Sequence, residues 1–139
     1  MIRQSIYIEE YDWLVYCYFA THSQDAPEIL DKIDRIGISE DKYQQAEEHL
    51  FRSDYNSGIT FSNIGKRASV MVFSHTTSAK QMLNTFAHEL RHLADDIALA
   101  SYIPTRGEQV AYLTGDIAMT LAASLLQIVC DCPICSFHK

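Results

Sequence analysis

The chain has 139 residues, 47% of them hydrophobic and 21% charged, with a formal net charge of −7. That length and balance fit one globular domain spanning residues 1–139, with a real core, and exclude a disordered chain. The negative charge argues against nucleic acid and against an anionic membrane surface, because both demand a basic face.

Glu9, Glu10 and Asp12 stand where a signal peptide would need an apolar core, so a cytoplasmic location is expected. In that compartment the four cysteines, Cys17, Cys130, Cys132 and Cys135, are not expected to form disulfides. "SIYIEE" (5–10) and "WLVYCYFA" (13–20) are rich in aromatic and β-branched residues and predict two strands in a hairpin. The second is apolar almost throughout and is also readable as a short helix. In "DAPEILDKIDRIG", Ile29, Ile33 and Ile36 recur at helical spacing and Gly37 supplies a stop. Ser39 then reads as the N-cap of "EDKYQQAEEHLFR", with Tyr43, Ala46 and Leu50 on one side.

"GITFSN" (58–63) and "RASVMVFS" (67–74) predict a strand pair around Ile64-Gly65-Lys66. Ser78 with Gln81 fits a capping box, which starts a helix near Ala79 that should run to about Ala100. "SYIPTRGE" interrupts it, and a last helix is expected from about Arg106 to Val129. The apolar run from Ile117 to Cys130 is broken by Thr120, Ser124 and Gln127, so a buried helix is expected there and no membrane span. The order of elements predicts an α+β fold, with no repeat or linker to divide it.

The third helix carries "TFAHELRHLADD" (85–96). On a helix, His88 and His92 lie one turn apart on the same face, where both imidazoles can approach one tetrahedral zinc ion. Glu89 is rotated by about a quarter turn from His88, so it can act on a water at that zinc without being a ligand. Zinc lowers the pKa of water and polarises a carbonyl, and a glutamate beside it can take the proton and pass it on. The competing reading is an amphipathic helix that happens to carry two histidines.

"HELRH" on a helix preceded by the strand "RASVMVFS" resembles the zincin metallopeptidases, over roughly residues 67–121. That resemblance implies a zinc cofactor, Glu89 as general base, a peptide or protein substrate, and the preceding strand as a border of the substrate cleft. Glu108, sixteen residues beyond His92, resembles the third ligand of the gluzincin arrangement, in which a second helix packs on the first and supplies a glutamate. The order of "DWLVYCYFA", "GITFSN" and "HELRHL" is also similar to that of small bacterial and mobile-element proteins, a likeness that names no substrate.

A catalytic zinc needs a third protein ligand beside His88 and His92. Glu108 is the first choice, and a small-residue stripe of Ala111, Gly115, Ala118 and Ala122 suits close helix approach. Thr105-Arg106-Gly107-Glu108 also reads as a capping box, in which Glu108 would serve its own helix. Asp95 or Asp96 is the rival; Asp95 is better suited to orienting an imidazole. Tyr112, one turn after Glu108, is the leading donor for an oxyanion, followed by Tyr102 and His75. Arg91 points away from the histidines and is expected in a surface ion pair.

The tail places Cys130, Cys132, Cys135 and His138 within nine residues, a donor set able to bind a second metal or act in redox chemistry. The alternative to a hydrolase is a non-catalytic module that keeps the scaffold for binding or regulation. So small a chain lacks a far wall for a cleft, which a partner or homo-oligomer could supply.

Overall fold

The computed structural model describes residues 1–129. Strands β1 (Ile2–Ile8) and β2 (Trp13–Thr21) form the expected antiparallel hairpin, in register from Ile2 opposite Phe19 to Ile8 opposite Trp13. A short 3-10 turn, Glu9–Tyr11, joins them and closes at Asp12, whose φ of 50° is a left-handed conformation that a short polar side chain tolerates.

Helix α1 (Ala26–Ile36) buries Ile29, Leu30, Ile33 and Ile36 and ends at Gly37, with φ at 75°. Helix α2 (Glu40–Arg52) starts at Ser39, whose Oγ accepts from the Lys42 amide at 3.3 Å. Strands β3 (Gly58–Asn63) and β4 (Ala68–Ser74) pair antiparallel. Helix α3 (Ala79–Ala100) is capped by Ser78, whose Oγ accepts from the Gln81 amide at 3.2 Å. Helix α4 runs from Glu108 to Val129.

One sheet joins these elements in the order β1-β2-β4-β3, making an α+β fold. The two interior strands run parallel, with Cys17 beside Met71, so the chain crosses over through α1 and α2 before returning. Every residue of β4 is buried, and β2 is nearly so. A strand covered on both faces is an unbroken apolar run, which is why "WLVYCYFA" reads equally as strand or helix.

Alternation along the strands sorts side chains into two cores. Trp13, Val15, Cys17, Phe19, Met71 and Phe73 meet α3 and α4 on one face. Tyr18, Phe61, Ala68, Val70 and Val72 meet α1 and α2 on the other.

Helix α4 departs from expectation in its orientation. It packs through Val110, Leu113, Ile117, Leu121 and Leu125. Ala111 and Gly115 therefore face solvent, as do Tyr112, Met119 and Leu126, and the small-residue stripe is not the packing face. Helix α4 is thus half-covered rather than buried. By length and composition it is the one helix among the described residues apolar enough to cross a membrane.

Candidate metal centre

The site forms where α3 lies against β3, the edge strand. Side chains of β3 alternate: Phe61 enters the core beneath α1 and α2, while Thr60 and Ser62 turn toward α3. A pocket of about 470 Å³ opens here, and His88, Glu89, His92 and Asp96 of α3 line it together with Gly58–Ser62. Lys42 and Gln45 of α2 stand at its other side. The strand bordering the pocket is therefore β3, not the expected β4, because β4 is enclosed in the centre of the sheet.

His88 and His92 present their ring nitrogens to each other, with Nε2 to Nε2 at 3.1 Å and the rings nearly perpendicular at 77°. Two nitrogens on one tetrahedral zinc, each about 2.0–2.1 Å from it, would be about 3.3 Å apart. The pair therefore suits zinc as it stands, with both rings on the pocket side of the helix. Glu89 is only 5% exposed, yet its carboxylate reaches the same pocket. Its Oε1 accepts from Thr60 Oγ1 at 2.9 Å, and its Oε2 lies 3.9 Å from His88 Nε2. One oxygen is thus fixed by the strand and the other faces the histidine.

This packing requires a glycine. A Cβ on Gly58 would sit 2.7 Å from Glu89 Cγ and 2.8 Å from Thr85 Cγ2, both closer than carbon atoms tolerate. Thr85 also ties the helix to the strand entry by donating to the Asn56 carbonyl at 3.1 Å.

The expected third ligand does not join the histidines. Among the described residues, no three His, Cys, Asp or Glu side chains are grouped to hold a metal ion. Glu108 is exposed at the start of α4 and does not line the pocket. Tyr112, one turn later, is 69% exposed and is also outside it. Both follow from the packing of α4: with Val110, Leu113 and Ile117 turned inward, positions 108 and 112 turn outward.

The other candidates divide. Tyr102 is 96% exposed and away from the pocket. His75 is held elsewhere: its Nδ1 lies 2.8 Å from the Thr21 carbonyl and its ring stacks on His22 at 4.2 Å. Arg91 forms the expected surface pair, donating from Nε to Asp95 Oδ2 at 3.1 Å, and also donates to the Thr105 carbonyl. Asp95 is thereby committed to Arg91 and, among the described residues, orients no imidazole. Asp96 is the carboxylate that reaches the pocket, where it accepts from Ser62 Oγ at 2.6 Å. Cys130, Cys132, Cys135 and His138 lie outside the described residues. The remaining cysteine, Cys17, is buried, and burial pushes its thiol up to about 12.

Four contributors carried no signal in the sequence. Thr60 and Ser62 are recognisable only once β3 is placed beside α3, and Gly58 only through the contacts its missing Cβ would make. His49, in the last turn of α2, is half-buried and close enough to Glu89 to feel its charge. Burial holds its imidazole below the ordinary histidine value, against an upward pull from Glu89. No family model, curated protein or solved structure matches the chain.

Proposed function

We propose that the chain is a small zinc-dependent hydrolase of cytoplasmic location that acts on peptide bonds. The observation that carries this reading is the trio on one helix face: two imidazole nitrogens 3.1 Å apart, with a sequestered carboxylate beside them. His88 and His92 would hold zinc, which supplies Lewis-acid chemistry, lowering the pKa of water and polarising a carbonyl. Glu89 acts as the base: Thr60 fixes one oxygen, so the other is presented to the pocket and can take up and release a proton. The open edge of β3 offers backbone amides and carbonyls to an extended peptide.

A purely structural two-histidine site has no use for a base buried against a strand. The absence of a third grouped ligand among the described residues favours the second reading, a zinc-binding module without turnover. Coordination separates the two: zinc with an open position supports catalysis, and four protein ligands support the module.

The test is zinc content of protein purified without added metal, measured beside His88→Ala and Glu89→Gln. About one zinc per wild-type and Glu89→Gln chain, little in His88→Ala, and peptide hydrolysis only by the wild type would support the hydrolase. Equal zinc in wild type and His88→Ala would sink it.

A further inference from the structure

The pocket that holds the trio has a neighbour across Glu89. A second pocket of about 280 Å³ opens on the far side and shares Gly58, His88 and Glu89 with the first. Beyond these shared residues it is lined by Asn56 and Ser57 before β3 and by Asn84 and Thr85 of α3, all polar and uncharged. The two pockets meet at Gly58, His88 and Glu89 and so flank His88 and Glu89 on both sides. A chain lying across both would continue on either side of these residues.

The two sides differ in charge. On the larger side the two carboxylates already have partners: Thr60 donates to Glu89 and Ser62 donates to Asp96. The single cation lining that side is Lys42. Its ammonium makes no hydrogen bond or ion pair among the described residues, although its backbone amide is used in the Ser39 cap. The net charge of −7 does not forbid an acidic ligand, because charges more than about 8–10 Å away are largely screened at physiological salt.

Resting on the hydrolase reading, we infer that the two pockets together take an internal segment of an extended polypeptide and that Lys42 receives an acidic residue of it. The shared chemistry is a carboxylate, which a side chain or a chain terminus could supply. The second pocket on the other side of Glu89 favours the side chain.

Quenched peptides, acetylated and amidated at their ends, test this with zinc-loaded full chain. Glu or Gln is placed in turn at each of three positions on either side of the central bond, and uncapped versions run in parallel. At one position kcat/KM should favour Glu by about two- to fivefold, the factor of a solvent-exposed ion pair. Capped and uncapped peptides should be cut alike. Lys42→Ala should bring the Glu-to-Gln ratio to one, and Lys42→Glu should shift preference toward a Lys peptide. Cleavage that needs a free terminus, or a ratio unchanged in Lys42→Ala, overturns the inference.

Anisotropy of a labelled capped Glu peptide on Glu89→Gln protein keeps the two readings apart. Binding that prefers Glu over Gln, with no turnover by the wild type, sinks the hydrolase and upholds the Lys42 assignment. Loss of binding and turnover together sinks both.

Discussion

Gly58 lies where a Cβ would stand 2.7 Å from Glu89 Cγ, so the edge strand and Glu89 are in contact only because that side chain is missing. Thr85 Cγ2 blocks the same space at 2.8 Å, and neither atom is the free end of a flexible chain. Gly58→Ala must therefore push α3 from β3 or turn Glu89 off its Thr60 bond. Overpacking of this kind costs about 1–3 kcal/mol. Gly115, in the middle of α4, has open space where a Cβ would stand, with nothing within 4 Å, and predicts the opposite sign. Gly115→Ala should stabilise by about 0.5–1 kcal/mol through helix propensity alone. Urea unfolding of the two variants reads both signs, and a neutral Gly58→Ala would show that the strand is not held as tightly as its contacts indicate.

Thr60 gives a cleaner view of Glu89, because Thr60→Val keeps the shape and removes only the hydroxyl that donates to Glu89 Oε1 at 2.9 Å. The carboxylate then loses its one fixed oxygen inside a nearly closed environment. A net cost of about 1.5–3 kcal/mol is expected for a hydrogen bond to a charged group. If Glu89 is the base, kcat should fall while zinc content stays constant, since Thr60 makes no hydrogen bond to either histidine. A drop in bound zinc that parallels the drop in kcat would place Thr60 in metal retention instead.

Much of this layout is legible locally, because each boundary has a local cause. Ser39 and Ser78 cap their helices through their own hydroxyls, Gly37 ends α1, and His88 and His92 meet because helix geometry alone places them one turn apart. What is not legible depends on pairings distant in sequence. The near-continuous apolar run in "RASVMVFS" fits a strand covered on both faces, but only its pairing with β2 makes β4 central and gives the pocket border to β3. Spacing along the chain points to Glu108 and Tyr112, but spacing does not say which side of α4 faces inward. Val110, Leu113 and Ile117 decide that, and they outweigh the small-residue stripe.

A directed chain of hydrogen bonds runs from the core to the pocket. The Trp13 indole donates to Ser69 Oγ at 2.9 Å, Ser69 and Ser62 share a bond of 2.7 Å, and Ser62 donates to Asp96 at 2.6 Å. An indole can only donate and an ionised carboxylate can only accept, so Ser69 must donate to Ser62. Ser69→Ala leaves the indole N–H buried without a partner, at a cost of about 1–3 kcal/mol. Trp13 is the single tryptophan, so its emission reports the change directly. Unfolding followed by that emission should show the destabilisation together with an altered native spectrum. An unchanged midpoint would mean that the serines are not needed to satisfy the indole.

His49 predicts a pH dependence of stability with a definite sign. Desolvation by burial lowers its pKa; the nearby charges of Glu89 and Asp54 raise it, Arg52 lowers it, and the net shift is downward. Its Nδ1 is buried with no hydrogen-bond partner among the described residues. In the unfolded chain the imidazole titrates near its ordinary value of about 6.5. Between that value and the lower folded one, the unfolded state holds a proton that the folded state does not. Stability therefore rises with pH through this window, is fully present above it, and is lost as the pH falls. Replacing His49 with Gln removes the titrating group, so the loss between about pH 7.5 and about pH 5.5 should be smaller than in the wild type. Urea midpoints for both proteins at the two pH values measure the difference. An equal loss in both would move the acid sensitivity away from His49 to other groups.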